Sequence, residues 1–314
     1  MFCIRSFSND PFFNLALEEH LLKSSEEEYF IVYSNRPTVI IGKHQIPFAE
    51  ANIEFLKAQG IRLARRISGG GAVYHDQGNL NYAFIRNISV ENKIDYKMQL
   101  QPVVDVLHSM NMNAEVSSSH DLLIDGKKIS GNAEHIYGNR VLHHGTLLFS
   151  SDIEMLKEAL NPTGTYESKA VSSKRSSVAR ICDFVSAQMN FEMFSFLFFQ
   201  RMINSISGEH RSLQKNDIET TSRIAFSKYA KASWVYGKSP DYAFSRVTKE
   251  GYESTISVRK GIINEVELNI NSHSLSDVCL FLKEKIHHIL LVDQLMKEFK
   301  ALNLSEKVWR ELIF

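Results

Sequence analysis

The chain has 314 residues, of which 44% are hydrophobic and 23% charged, so it resembles a soluble globular protein with one large domain and a smaller one. Its 36 Lys and Arg residues balance its 36 Asp and Glu residues. This balance disfavours nucleic acid as the main partner, because proteins that bind polyanions usually carry a basic excess. Three widely separated cysteines indicate reduced thiols rather than a disulfide framework, and hence a cytoplasmic protein.

The sequence shows neither the pattern of a signal peptide nor that of a membrane-spanning segment. The N-terminal segment reaches Asp10 without an apolar core of the kind that signal peptides contain. The most apolar stretch, residues 193–199, ends at Gln200 and Arg201 and is too short to cross a bilayer. We therefore expect no signal peptide and no association with a membrane.

Helices and strands alternate in the first third of the chain. The apolar spacing predicts a helix over 14–23, two strands within 29–44, a helix over 49–59, strands over 61–68 and 72–86, and a helix over 98–111. The two strands within 29–44 are expected to flank a turn at residues 35–37, and Gly60 is a suitable C-cap for the helix before it.

The remaining sequence continues this mixture. Asp125-Gly126 predicts a hairpin, helices follow over 152–160 and 187–206, and a β-meander with helices occupies the C-terminal part. The polar stretch 168–181 is either a solvated loop or a loop that closes over an anionic ligand. The fold class is therefore α+β, with a large domain over 1–238, built on a mixed or antiparallel sheet flanked by helices, and a small α+β domain over 239–314.

A glycine triplet stands between two predicted strands in "RRISGGGAVYHDQGNLNYAFI", residues 65–85. Glycines without Cβ atoms let a ligand lie against bare backbone, and successive N–H groups in such a loop can bind phosphate oxygens. Neither the dinucleotide-binding fingerprint nor the P-loop motif matches this segment. A tight turn without a ligand remains the plainer interpretation of the glycines alone. The neighbouring Arg65 and Arg66 could pair an anion, which favours a ligand.

A second cluster follows in "DGKKISGNAEHIYGNRVLHHGTLLF", residues 125–149. Lys127 and Lys128 precede a Ser-Gly step, although adjacent lysines are most often a solvated face. His143 and His144 could suggest a metal, but no third ligand stands at the spacing of a zinc site.

Together these segments resemble the lipoate–protein ligase A family. "ARRISGGGAVYHDQGNLNYAF" resembles its glycine signature, "KKISGNAEHIYGNRVLHHGTLLF" its lysine signature and "DPFFNLALEEHL" its N-terminal helix. "ASWVYGKSPDYAF" and "KGIINEVELNI" resemble the connection to the accessory C-terminal domain of that family. The resemblance implies a fold like that of biotin and lipoate ligases, and it covers nearly the whole chain.

The implied activity has two half-reactions, with lipoate and ATP as substrates and Mg²⁺ expected beside ATP. Lipoate and ATP give lipoyl-AMP and pyrophosphate, and the lipoyl group then passes to the ε-amine of a lysine on an acceptor domain. The expected acceptors are the E2 subunits of 2-oxo acid dehydrogenases and the glycine cleavage H protein. Preference for lipoate over octanoate is left open.

The resemblance also assigns residues. The essential lysine falls on Lys128. The nucleotide-binding positions would be Arg66, Gly71, Ala72, Val73, Tyr74, Asp121 and Lys128. The lipoate-binding positions would be Leu15, Leu17, Ser68, His75, Lys128 and His144, with Leu15 and Leu17 equally explained as plain core. The loop that covers the adenylate would contain Lys174 and Arg175.

One position departs from the family pattern. His120-Asp121 stands where the family commonly has Asn-Asp, which puts nucleotide affinity or its pH response in doubt, because the charge of an imidazole varies near neutral pH. Asp121 is a weak candidate for a metal ligand, and the metal ligands are otherwise unknown.

Four alternatives differ in chemistry. A related acyltransferase would form a thioester on a cysteine, but the stretch before Lys128 contains none. A lipoyltransferase would use preformed lipoyl-AMP or lipoyl-protein without activating free lipoate, and sequence hardly separates it from a full ligase. A biotin ligase would carry a Gly-Arg-rich signature, which is missing. A non-catalytic binding module would not be expected to retain Lys128 and the whole glycine signature.

Overall fold

The computed structural model describes residues 1–88, 96–164, 166–173, 176–248, 250–271 and 273–314. Up to residue 150 the elements are β1 (Phe2–Arg5), α1 (Pro11–Ser24), β2 (Tyr29–Tyr33), β3 (Thr38–Ile41), α2 (Pro47–Glu50), α3 (Ile53–Gln59), β4 (Arg62–Arg65), β5 (Val73–His75), β6 (Asn79–Asn87), α4 (Tyr96–Ser109), β7 (Ala114–Val116), β8 (Leu122–Ile124), β9 (Lys127–Ser130), β10 (Asn132–Tyr137) and β11 (Arg140–Leu148).

The second half is richer in helices. Its elements are α5 (Ile153–Ala159), β12 (Glu167–Ser168), α6 (Phe191–Ser205), β13 (Glu209–His210), α7 (Lys215–Ile224), α8 (Ala232–Val235), β14 (Tyr242–Val247), β15 (Tyr252–Arg259), β16 (Ile262–Ile270), β17 (His273–Ser274), α9 (Ser276–Leu282), α10 (Leu291–Glu298) and α11 (Glu306–Ile313), with 3₁₀ turns at Ile181–Phe184 and Lys300–Leu302 and a π-helical turn at Ala225–Tyr229. In these described parts of the chain, no helix has the length and apolarity needed to cross a bilayer.

A six-stranded sheet in the order β10-β11-β6-β2-β1-β13 forms the centre of the large domain. Successive side chains of a strand point to opposite faces, so both faces of β2 are buried by different helices. Phe30 packs in a core with residues of α4 and α6, whereas Ile31 packs in a second core with residues of α1. The helix α1 is capped by Asp10, whose carboxylate accepts hydrogen bonds from two backbone N–H groups of the first turn.

Two three-stranded sheets carry the segments that the sequence singled out. The first has the strand order β4-β3-β5, and the glycine triplet lies in the loop between β4 and β5. The second sheet has the strand order β7-β8-β9 and contains the predicted hairpin between β8 and β9, which is confirmed. Asp125 and Gly126 both have positive φ, at 51° and 70°, as a two-residue type I′ turn requires. This hairpin places Lys128 on β9.

Two local predictions were wrong in detail. The helix predicted over 49–59 is two helices, because the side chain of Asn52 caps the second one by accepting from the N–H of Phe55. The strand predicted over 72–86 is β5 and β6 in different sheets, since Asp76 accepts from the N–H of Gly78 in the turn between them. The two strands predicted within 29–44 are confirmed as β2 and β3, which belong to different sheets.

The C-terminal module is a five-stranded sheet, in the order β12-β14-β15-β16-β17, covered by α9, α10 and α11. Two segments from before residue 239 join it. The short strand β12 pairs with β14, and Ile46 and Phe48 are buried in the core of the module. The predicted α+β class is confirmed, with mixed sheets flanked by helices. The division at 238/239 stays a prediction.

Candidate functional site

The glycine segment is braced by the side chain of Arg66. One of its guanidinium nitrogens, Nη2, donates to the carbonyl oxygens of Gly69 and Gly71, at 2.5 and 2.8 Å. Gly70 between them has a φ of 84°, where a Cβ would strain the backbone and lie 3.0 Å from the same nitrogen. Burial lowers the pKa of Arg66 to about 10, so it remains a cation at neutral pH. The buried guanidinium cation of Arg66 therefore holds the conformation of the glycine loop through hydrogen bonds to its backbone.

Arg65 points away from this loop, contrary to the expectation that it could pair an anionic ligand. It is fully buried, and its guanidinium group donates to the carbonyl oxygens of Gly42, Gln45 and Val235 and to the hydroxyl of Ser239. Each of these is a protein acceptor, and two of them, Val235 and Ser239, lie more than 160 residues away along the chain. Arg65 thus fastens the strand before the glycine segment to the segment that leads into the C-terminal module.

Lys128 projects from β9 into a cleft beside the glycine segment. Its Nζ atom lies 2.9 Å from Oδ1 of Asp121, and the two side chains are 24% and 18% exposed. The other carboxylate oxygen of Asp121 accepts from the hydroxyl of Ser119. Gly131 leaves room for the lysine stem, since a Cβ there would lie 3.4 Å from Cε of Lys128. The ammonium group is therefore oriented but still accessible.

The cleft consists of two cavities that share a wall. The first has a volume of about 410 Å³ and the second about 620 Å³. Their shared lining is Ala72, Val73, Lys128, Gly131, Thr146, Ser172, Ser173 and Ser176. Lys128 therefore faces a junction at which molecules bound in the two cavities would meet.

The cleft brings together most of the residues that the sequence assigned. Leu15, Arg66, Gly71, His75, Asp121 and His144 line the first cavity, Tyr74 lines the second, and Ala72, Val73 and Lys128 line both. Leu17 and Ser68 are fully buried and do not line either cavity. Leu17 belongs to the core against α1. Lys174 and Arg175 lie outside the described residues.

A chain of buried polar groups runs behind the first cavity. The hydroxyl of Tyr33 donates to Glu18, whose other oxygen lies 2.8 Å from Nδ1 of His144. Nε2 of His144 lies 2.6 Å from the hydroxyl of Ser68, which accepts from Nε of Arg66. In its neutral form His144 donates to Glu18 and accepts from Ser68. Ser68 therefore supports the site from behind, linking the first cavity to the glycine segment.

His75 offers a hydrogen-bond donor in the lining of the first cavity. The amide oxygen of Asn35 accepts from Asn14, so the amide nitrogen of Asn35 faces Nδ1 of His75, at 3.0 Å, and donates to it. Burial lowers the pKa of His75 to about 3, with further lowering by Arg66. The ring is therefore neutral and carries its proton on Nε2. That nitrogen is buried and finds no partner among the described side chains and backbone groups.

Sequence patterns did not single out several residues of the cleft. Glu50 and Ser173 meet there, and the amide of Gln45 joins them. The signal for Glu50 was a lone carboxylate in the apolar run "IPFAEAN", which is also typical of an ordinary exposed helix residue. Among the described residues, no group of three or more His, Cys, Asp or Glu side chains is arranged to hold a metal ion.

Comparison with known proteins matches most of the chain to one family. The model of the family "Lipoyl protein ligase A/B catalytic domain" matches residues 10–203. The chain is 36% identical to lipoate–protein ligase 1 of Staphylococcus aureus over 276 residues, covering 86% of this chain and 84% of that protein.

Two solved structures show the same fold. P. falciparum LipL1 in complex with lipoate is 20% identical with a TM-score of 0.66, covering 91% of this chain and 90% of that one. Lipoate–protein ligase A bound with ATP is 23% identical with a TM-score of 0.62, covering 74% and 96%. With the family model spanning the glycine and lysine segments and the relative spanning most of the chain, the protein belongs to the lipoyl protein ligase A/B catalytic domain family.

Proposed function

We infer that this protein is an ATP-dependent lipoate–protein ligase. It activates free lipoate to lipoyl-AMP and transfers the lipoyl group to a lysine of an acceptor domain. The relative that is 36% identical is named a lipoate–protein ligase, and structures of the same fold hold lipoate and ATP. The observation that carries the inference is the position of Lys128 at the junction of two cavities.

The first cavity suits the acyl chain. Leu15, Ile40 and Val73 supply an apolar lining, and His75 supplies one buried N–H donor that has no partner within the described parts of the chain. A ligand that offers this N–H an acceptor removes the cost of leaving it unpaired, which is about 1–3 kcal/mol for a buried group. We assign this cavity to lipoate, with its carboxylate towards Lys128.

The second cavity suits the nucleotide. Tyr74, Leu148 and Leu156 give it an apolar part, and Ala72 and Val73 line both this cavity and the first. We assign Gly71, Ala72, Val73 and Tyr74 to nucleotide contact. Ala72, Val73 and Tyr74 line this cavity, and Gly71 precedes them in the chain and lines the first cavity. ATP would bring its α-phosphate to the junction.

The arrangement explains how two anions can react. An oxygen of the lipoate carboxylate attacks the α-phosphorus of ATP, the bond to the β-phosphate breaks, and pyrophosphate leaves. The ammonium group of Lys128 offsets the repulsion between the reacting anions, a contact whose removal typically costs about 10²–10³ in rate. In the second half-reaction, the acceptor amine attacks the acyl carbon and loses a proton, and AMP leaves.

Mg²⁺ is expected to arrive with ATP. Phosphate oxygens and water usually supply most ligands of Mg²⁺ in such sites, so a dedicated set of protein carboxylates is not needed. Asp121 lines the cleft, but Lys128 and Ser119 already contact its carboxylate. We therefore propose no protein ligand set for this ion.

The cysteine-dependent alternative fits the site poorly. None of the described residues that line the two cavities is a cysteine. Burial raises the pKa of Cys3 to about 11, and burial also raises the pKa of Cys182 and of Cys279. A thiol must ionise to act as a nucleophile, so these environments disfavour a thioester mechanism.

We propose lipoyl-accepting domains as partners, either E2 domains of 2-oxo acid dehydrogenases or the glycine cleavage H protein. The three free cysteines support a cytoplasmic location, where thiols stay reduced.

Pyrophosphate release tests the proposal. Purified protein with ATP should release pyrophosphate only when free lipoate is present, and intact mass should then show one lipoyl group on an acceptor domain. Modification of the acceptor from lipoyl-AMP, but never from lipoate and ATP, would instead identify a lipoyltransferase that lacks the activating step.

A further inference from the structure

A single serine hydroxyl joins the glycine segment to two other parts of the chain. The hydroxyl of Ser173 donates to the carboxylate of Glu50, and it accepts from the backbone N–H of Ala72 at 2.8 Å and from the amide of Gln45 at 3.1 Å. One donor and two acceptor positions are all that a hydroxyl has. This hub, defined as Gln45, Glu50, Ala72 and Ser173, is therefore saturated.

The hub lies against the backbone that we assign to the nucleotide. A Cβ on Gly71 would come within 3.0 Å of the Ser173 hydroxyl oxygen and 3.3 Å of its Cα, so the two segments touch closely. The amide oxygen of Gln45 also accepts from the N–H of Gly42. A Cβ on Gly42 would in turn lie 2.2 Å from the carbonyl oxygen of Gly70. The hub thus fixes the position of the glycine segment relative to Ser173 and Gly42.

Both sides of the Ser173–Glu50 contact are anchored in the C-terminal module. Glu50 ends α2, whose Phe48 is buried in the core of the module and lies 4.7 Å, between ring centroids, from both His287 and Phe314. Ser173 follows β12, which pairs with β14 of the same module. The module therefore holds the two partners through separate segments.

We propose that the C-terminal module positions the nucleotide-binding backbone through this hub, with Gln45, Glu50 and Ser173 as positioning residues. A shift of the module would move Glu50 and Ser173 and thereby change the geometry of Ala72. The inference rests on the proposed ligase function. It adds a physical link between the small module and the activation step.

The kinetic constants of activation test the link. Both carboxylate oxygens of Glu50 accept from Ser173, from its hydroxyl and from its backbone N–H. Glu50→Gln replaces one of these acceptors by an NH2 donor, and we expect the KM for ATP to rise about tenfold with the KM for lipoate unchanged, a size that corresponds to about 1.4 kcal/mol. Phe48→Leu leaves every polar hub group in place but loosens its support, and the KM for ATP should rise several-fold. A merely structural role would lower stability without separating the two KM values.

The matched control is Phe299→Leu, the same substitution in the module. The ring of Phe299 contacts Phe281 and Trp309, with centroids 5.5 and 6.5 Å away. It should lower the melting temperature and leave the KM for ATP unchanged. Should Phe48→Leu not fold, Ile46→Val removes one methylene from the same span and takes its place.

A double-mutant cycle closes the test. If Phe48 acts through Glu50, Phe48→Leu should add little to the KM for ATP once Glu50→Gln is present. Equal effects of Phe48→Leu and Phe299→Leu, or effects of Phe48→Leu and Glu50→Gln that simply multiply, would overturn the link. Lipoate-dependent release of pyrophosphate by the unaltered protein reports separately on the proposed function.

Discussion

Lys128 lines both cavities, and its contact with Asp121 keeps the ammonium group within reach of each. Its neighbour Lys127 is exposed and lies along a different depression, with Ser150 and Asp152. Adjacent residues of a strand point to opposite faces, so the two lysines differ in position although they are chemically identical. They form a natural pair of variants.

Lys128→Ala should lower lipoate-dependent release of pyrophosphate by about 10²–10³, because it removes the cation at which the two anions meet. The melting temperature should change little, since the side chain is partly exposed and makes one ion pair of modest worth. Lys127→Ala is the control, with activity close to that of the unaltered protein. Comparable losses of activity in both variants would contradict the role of Lys128 as the cation that stabilises the reacting anions.

At the scale of one element, the loop between β4 and β5 contains three glycines that are not equivalent. Gly70 has a φ of 84°, whereas a Cβ on Gly69 would meet no atom within 4 Å. An alanine at a left-handed position costs roughly 1–2 kcal/mol in backbone strain. At Gly70 this strain adds to the approach of Arg66.

Gly70→Ala should therefore raise the KM for ATP by about tenfold, while Gly69→Ala leaves it nearly unchanged. Steady-state kinetics of pyrophosphate release at saturating lipoate measures both. If the two variants behaved alike, the conformation of the loop would not be what recognises the nucleotide.

Elements differ in how far their local sequence determines them. Local signals were sufficient for the hairpin at Asp125-Gly126, since a two-residue turn with positive φ at both positions depends only on those residues. The contact of Ser173 with Ala72 depends on segments 101 residues apart in the chain. No local pattern marks such a partner, because Ser173 stands in a polar stretch that reads as solvated. Arg65 shows the same limit. The sequence placed it beside a ligand, but its acceptors Val235 and Ser239 lie far away along the chain, where no local pattern indicates them.

At the scale of the whole molecule, buried neutral histidines connect folding to pH. His75 lies in the large domain and His287 in the C-terminal module, and burial lowers the pKa of each to about 3. Nδ1 of His287 accepts from the hydroxyl of Tyr242, and Nε2 donates to the carbonyl oxygen of Ile313. Protonation would therefore place a charge in a closed apolar environment and make the hydroxyl of Tyr242 accept from Nδ1 instead of donating to it.

The free energy of unfolding should fall as the pH drops from about 6.5 towards 3. Above 6.5 both histidines are neutral in the folded and unfolded chains; below it only the unfolded chain takes up their protons, which favours unfolding. The loss reaches about 4–5 kcal/mol per histidine by pH 3. Chemical denaturation at a series of pH values between 7 and 4.5 measures the slope before most carboxylates titrate.

His287→Asn isolates one of the two contributions. The amide oxygen can still accept from Tyr242, so the variant should fold, with lower stability at pH 7 because the contact with Ile313 is lost. Its stability should depend less steeply on pH than that of the unaltered protein, since one proton fewer is taken up on unfolding. An unchanged slope would mean that the proton uptake comes from other groups, and that the core around Phe48 does not hold His287 neutral.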